Sequence, residues 1–409
     1  MRLFVIVFLA GSASENAMAS GSSYSLYGIG DIMMTPNTRS LGMGGVIAPL
    51  WSTLSIIPDN PASWCAIRQT MLQGSLDYDV RSSQSLSNSG FFAESSINGA
   101  TLGFPIYTPM GIAIVTGFSP LSEVNYNVNY STPQPTPDSN TTYSTQYQGQ
   151  GGLSTFFLGG SVAPFDWLAL GGAFEYNFGS IIYSALGNFS TYYSSSGYAP
   201  TAIYNKSSPD GFDGRFSAII SLGDFTLGGI IRLPATLKTQ FSQTYTAPVT
   251  VTDTSSTIYY NQTLPASYDV GISYRIKEFL LATEYSAGNW NSLLIDGSHP
   301  GNIQSDYRIS IGVERTGSLH RSASFFDRLS YRFGGYFWKT YYYINGTPIN
   351  EFFTTVGAGI PVGQNGNLDL ALQYGTEGTT NAGLIKENIF RFNLTFNFGE
   401  FLGTRLPGQ

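Results

Sequence analysis

From about residue 68 onward the sequence alternates apolar and polar side chains with period two, the pattern of a strand whose faces meet different surroundings. In 72–80, Leu72, Leu76, Tyr78 and Val80 fall on one face, and Gln73, Ser75, Asp77 and Asp79 on the other. Leu170, Phe174, Tyr176 and Phe178 alternate with Gly171, Glu175 and Asn177. Phe212, Phe216, Ile220 and Leu222 alternate with Asp213, Arg215, Ser217 and Ser221. Near the end, Phe390, Phe392, Leu394, Phe396 and Phe398 alternate with Arg391, Asn393, Thr395 and Asn397. The apolar series carries no charge until Arg315 and Lys386, both at strand ends. A basic side chain facing lipid at mid-depth costs about 2–4 kcal/mol, so its absence points to a face turned toward hydrocarbon.

Such segments number about fourteen, the even count of a closed single-chain barrel. They run from 68–80 to 386–401 and include 110–130, 208–222, 225–245, 262–276 and 279–290. Their connections mostly alternate short and long. Pro164-Phe165-Asp166-Trp167, Gly223-Asp224 and Lys277-Glu278 are tight turns; 131–143, 184–207, 246–261 and 291–302 are longer and rich in Ser, Thr, Asn and Tyr. That asymmetry is the one expected of short periplasmic turns and long outer loops. The fold class expected is therefore all-β, a transmembrane antiparallel barrel spanning residues 68–402.

Composition supports this and excludes rivals. Charged residues make up 11% and aromatics 15%, against roughly 25% charged in soluble domains. Mean hydropathy is −0.01, and after the first ten positions no run approaches the roughly 20 apolar residues of a membrane helix. A net charge of −7 lacks the basic footprint of a nucleic-acid binder. The single cysteine, Cys65, can form no internal disulfide. Arg2, the apolar run Leu3 to Ala10, and Ala17-Met18-Ala19 read as an export signal over residues 1–19, cut before Ser20. The two histidines, His299 and His320, fall at opposite barrel ends, so neither a shared metal site nor a triad is expected. No catalytic constellation, metal or other cofactor is expected either.

Residues 20–67 do not alternate. They hold Tyr27-Gly28-Ile29-Gly30-Asp31, Arg39-Ser40-Leu41-Gly42-Met43-Gly44-Gly45 and Asp59-Asn60-Pro61-Ala62-Ser63-Trp64. The glycines match neither a dinucleotide fingerprint nor a phosphate loop. Trp51, Ile56, Ile57 and Trp64 are apolar enough to require packing partners. Charges on the polar face of the strands, among them Glu175, Arg215, Glu284, Glu314 and Arg332, are expected to pair across strands and with this segment.

Leu41-Gly42-Met43-Gly44-Gly45, then Asn60-Pro61-Ala62, then Gly378-Thr379-Thr380 and Gly383-Leu384-Ile385-Lys386-Glu387-Asn388 resemble the FadL-like family of outer-membrane long-chain fatty-acid transporters. The resemblance implies that residues 20–67 fold into the barrel as a hatch. It also implies that hydrophobic or amphipathic molecules bind near that hatch and leave sideways through a gap at a kinked third strand. It carries over Ile29, Leu41, Met43, Asn60, Pro61 and Ala62 as hatch and substrate-path residues. Gly117, Phe118 and Pro120 become the lateral opening. Independently, Pro120 cannot donate a ladder hydrogen bond, so a strand containing it must be bulged or locally open. The expected surroundings are outer-membrane lipids, the barrel-assembly machinery during biogenesis, and a hydrophobic small-molecule ligand. Two alternatives remain: a partner barrel in protein-secretion machinery, and a polar-solute porin.

Overall fold

The computed structural model describes residues 21–84, 89–135, 142–189, 201–246, 254–318, 320, 323–363 and 365–400. The export signal expected over residues 1–19 lies outside them. The described residues form fourteen antiparallel wall strands. These are β1 Thr70–Gln84, β2 Ser89–Tyr107, β3 Ile112–Pro135, β4 Thr142–Phe165, β5 Leu168–Phe189 and β6 Thr201–Leu222. β7 is Phe225–Arg232 continued by Ala235–Thr246, and β8 is Thr254–Leu264 continued by Ser267–Ile276. The remainder are β9 Phe279–Gly288, β10 Asp306–Arg315, β11 Ser330–Ile344, β12 Thr347–Val362, β13 Gly366–Gly378 and β14 Lys386–Glu400. β14 pairs with β1 from Lys386 opposite Gln84 to Glu400 opposite Thr70, which closes the ring. Among the described residues no helix is long and apolar enough to cross a membrane; the crossing is made by strands.

The two faces separate as the alternation requires. Phe174, Phe212, Ile311, Tyr374 and Phe398 are exposed on the outside, while Glu175, Ser310, Gln373 and Asn397 are buried inside. Arg315 sits at a strand end beside Glu278, 3.6 Å away.

Strand lengths differ more than the sequence suggests. β9 and β10 have 10 residues each, enough for the roughly 25 Å apolar band of a tilted barrel strand. β3 and β4 have 24 residues, and β5 and β6 have 22. Their outer halves therefore rise beyond the lipid. This corrects the loop expectation: residues 201–207 and 254–261 are strand, paired with β7. Both faces of a strand above the membrane meet water, so no apolar alternation marked them. β7 and β8 break side by side, at Leu233-Pro234 and Pro265-Ala266, where each proline lacks the N–H a ladder needs.

Residues 21–69 lie inside the ring. Ile56, Ile57 and Trp64 are fully buried there, but Trp51 is 46% exposed near the short turns, against the expectation that it packs. Residues 291–302, expected as an outer loop, fold back over this segment. Leu293 is fully buried with Ile29, Leu237 and Leu264, and Leu294–Ile295 pair with Thr263 and Gln262.

Candidate functional site: the wall between β2 and β3

β2 and β3 pair from Tyr107 opposite Ile112 up to Ala100 opposite Phe118, and no further. Their other neighbours run on: β1–β2 to Gln84 opposite Ser89, and β3–β4 to Pro135 opposite Thr142. Local sequence explains the parting. Gly99 has φ +123°, and a Cβ there would lie 2.7 Å from the Phe118 carbonyl oxygen, so only glycine allows this turn away. On β3 the register shifts between Pro120 and Ser122, where the proline cannot continue the ladder.

The freed edge of β3 is occupied from within. Asp31 and Ile32 pair with Glu123 and Ser122, Met33 donates to the Leu121 carbonyl at 3.0 Å, and Gly21 bridges to Tyr126. Asn125 Nδ2 donates to Glu94 Oε2 across the parting, at 2.5 Å. Two small cavities flank residues 32–35. One, of ≈ 70 Å³, is bordered by Asp31, Arg81, Glu94, Glu123 and Arg391. The other, of ≈ 170 Å³, meets Ile32, Met34, Pro120, Leu121, Leu264 and Trp290, with three arginines (Arg215, Arg232, Arg308) and four aspartates (Asp59, Asp213, Asp269, Asp306) on its polar side.

The inner segment is fastened to the wall by charge and by backbone contact. Glu314 accepts from Arg39 (2.8 and 2.9 Å) and from Arg332 (2.7 Å), and Arg332 also meets Asp369 at 2.6 Å. Glu284 accepts from the Ile47 and Ala48 amides at 2.7 and 2.6 Å. Arg215 pairs with Asp59. Burial alone would raise the Asp59 carboxyl; the Arg215 guanidinium bonded to it, with Arg232 nearby, outweighs burial and holds it below the usual carboxylate range. Asn60 Nδ2 donates to the Ile47 and Ala48 carbonyls, and the Ala62 amide donates to Ser217 Oγ at 2.7 Å. Gly44, at φ +71°, lies backbone to backbone against Gly335, as Met43 does against Gly312. At the outer end, Tyr24 donates its hydroxyl to the Ile385 carbonyl.

The residues singled out in sequence thus divide. Pro120 borders the larger cavity and Leu41 the smaller. Gly117 sits opposite Thr101, one pair before the β2–β3 ladder ends, and Phe118, at the last pair, faces outward at 42% exposure. Ile29 joins the cluster around Leu293, and Met43 one with Val46, Ile230 and Leu280. Asn60, Pro61 and Ala62 shape the turn that seats the segment on β5 and β6. Asp31, Arg81, Glu94, Asn98 and Glu123 were not singled out as site residues. Glu94 and Glu123 lie on the consecutive strands β2 and β3, but their meeting with Asp31 depends on register that the alternation does not carry.

Fold and faces define an outer-membrane β-barrel of fourteen strands with a chain segment inside it. The sequence matches the BamG family over residues 1–401, and the chain belongs to that family. No curated protein matches it. Solved structures share the fold at low identity. A FadL homologue of Pseudomonas aeruginosa is 12% identical, with a TM-score of 0.63, over 90% of this chain and 99% of that one. The toluene transporter TbuX of Ralstonia pickettii is 14% identical, with a TM-score of 0.58, over 88% and 97%. The Pseudomonas putida toluene transporter TodX is 12% identical, with a TM-score of 0.57, over 90% and 98%.

Proposed function

We propose that this barrel passes small hydrophobic or amphipathic molecules from the outer face into the outer membrane, with residues 20–67 as its hatch and the β2–β3 parting as the side exit. The observation that carries this reading is the loss of pairing above Ala100 and Phe118, with a hatch strand seated on the exposed edge. A lateral path suits molecules that partition into lipid; an open lumen would suit polar ones. In volume alone, the ≈ 170 Å³ cavity, whose apolar side holds Pro120, Leu121 and Leu264, compares with an apolar cavity of about 150 Å³ that holds benzene. That size favours a single-ring molecule over an extended acyl chain. The likeness to toluene transporters supports the same class.

The test locks the hatch strand. Ile32 and Ser122 are directly opposed, within the Cα separation a disulfide bridges. An Ile32→Cys/Ser122→Cys pair, in a Cys65→Ser background, is expected to abolish toluene uptake when oxidised and restore it on reduction. Equal uptake in both states, with the bond verified by mass, removes the exit.

A second reading has its own observation. The chain matches BamG over nearly its whole length, and the family name points to the barrel-assembly machinery. On this reading the barrel is a partner subunit, its lumen filled because nothing needs to pass. Depletion would then lower the assembly of unrelated outer-membrane barrels while the disulfide lock changed nothing.

A further inference from the structure

The smaller cavity is bordered by more carboxylates than cationic groups. Six carboxylates border it, on Asp31, Asp77, Asp79, Glu94, Glu123 and Glu351, against the guanidinium groups of Arg81 and Arg391. Five accept a hydrogen bond or lie against a guanidinium: Arg391 holds Asp79 at 3.0 Å, Arg81 lies 3.6 Å from Asp31, Tyr342 donates to Asp31 at 2.8 Å, and the neutral donors Asn393, Asn125 and Tyr336 reach Asp77, Glu94 and Glu351 at 2.6, 2.5 and 3.2 Å. Glu123 has no hydrogen bond or ion pair to another described side chain. Two further acceptors open onto the same space. Asn98 Oδ1 and Gln373 Oε1 have no partner, in side chains only 3% and 2% exposed. Gln373 spends its Nε2 on Asn393 at 2.6 Å, which fixes its oxygen as the free end. Water could satisfy the amides, but it would not neutralise the excess charge. Buried charge without a counter-charge is strongly disfavoured.

We propose that this cavity is a binding site for an ammonium group. The nearest source is the chain itself. Gly21 borders the cavity and pairs with Tyr126 on the β3 edge. Cleavage after Ala19, the export reading on which this source rests, leaves the new α-ammonium on Ser20, the residue that precedes Gly21 in the chain. Signal removal would then create the cation that ties the hatch to the wall, so the segment docks only after cleavage. The other source is a soluble amine reaching the cavity from the outer face.

The experiment uses the full-length mature protein in detergent. Mass spectrometry fixes its first residue, and reductive ¹³C-methylation followed by NMR titrates the α-amine. An ordinary α-amine titrates near 7.7–8.0. The Ser20 amine is expected to hold its proton at least tenfold more tightly. That excess should vanish in Glu94→Gln/Glu123→Gln. It should vanish equally on inserting Gly-Ser-Gly between Ser20 and Gly21, which moves the amine about 10 Å and leaves every carboxylate in place. If the terminus titrates normally or begins elsewhere, methylammonium chloride is titrated against tryptophan fluorescence, Trp338 being one wall of the cavity. Saturable binding over a sodium chloride control, lost in the double Gln variant, assigns the site to a soluble amine. A normal terminus with no carboxylate-dependent methylammonium binding overturns the proposal and leaves the cavity to water.

Discussion

Arg39 in the inner segment and Glu314 on β10 form a two-point ion pair, at 2.8 and 2.9 Å, inside the barrel. Glu314 also receives Arg332, so one carboxylate answers two buried guanidinium groups. Glu314→Gln removes the counter-charge of Arg39 and leaves Arg332 with Asp369 alone. Arg39→Met leaves Glu314 still paired with Arg332. Breaking a buried pair costs about 3–5 kcal/mol, a factor of roughly 10² or more in docking of the segment. Planar-bilayer recordings should show rare openings in the native barrel, frequent ones in Glu314→Gln, and an intermediate rate in Arg39→Met. Equal, low conductance in all three would show that this ion pair does not hold the segment in place.

The outward face of β14 gives a second prediction. Leu394 lies opposite Leu76 of β1 and Leu370 of β13, within the lipid-facing series. Leu394→Arg should cost about 2–4 kcal/mol at mid-depth and lower the folded, heat-modifiable fraction on gels. Asn393→Gln, on the inner face of the same strand, should assemble normally, although Asn393 donates to Asp77 at 2.6 Å. Equal assembly of the two variants would contradict the assignment of faces.

The barrel itself was legible because a lipid face imposes strict alternation, and Leu72, Phe174 and Phe398 obey it. The outer halves of β6 and β8 were not, because water on both sides of Asn205 or Ser256 imposes no pattern. At the candidate site, Pro120 announced a defect in β3 through its missing N–H. Its counterpart, Gly99 on β2, gave no comparable sign among so many glycines. The acidic residues that gather at the parting come from β2, β3 and the inner segment, and only register brings Glu94, Glu123 and Asp31 together. Valine at Gly117 suits a strand by propensity, yet a Cβ there would sit 2.4 Å from the Ala100 carbonyl oxygen. Gly117→Val would therefore distort the last β2–β3 pair instead of extending it.

The Asp59–Arg215 pair predicts a pH response. The folded carboxyl lies below its usual value, so its contribution is fully present above the unfolded value, about 3.9, and is lost as pH falls through the lower folded value. Segment docking, read by protection of residues 21–67 from added protease, should be unchanged by this group between pH 7 and 5. It should weaken only below about pH 4. Asp59→Asn should loosen docking at pH 7 and flatten that acid limb. An acid limb unchanged in Asp59→Asn would assign it to other carboxylates.

Backbone contact gives the last prediction. Gly44 has φ +71°, and a Cβ on it would lie 2.5 Å from the Gly335 carbonyl oxygen and 2.7 Å from that of Ile311. Gly44→Ala therefore meets both a strained conformation and two wall strands that cannot yield without breaking ladder bonds. Gly363, in the turn after β12, shares the positive φ, at +65°, but has nothing within 4 Å. Alanine there pays the conformational cost alone, about 1 kcal/mol. Both variants should insert, since neither side chain faces lipid. Gly44→Ala should expose the inner segment to protease and raise ion conductance, whereas Gly363→Ala should do neither. If the two behave alike, the glycines at 42, 44 and 45 serve only local chain flexibility, and the seam with Gly312, Gly334 and Gly335 does not fix the segment's position.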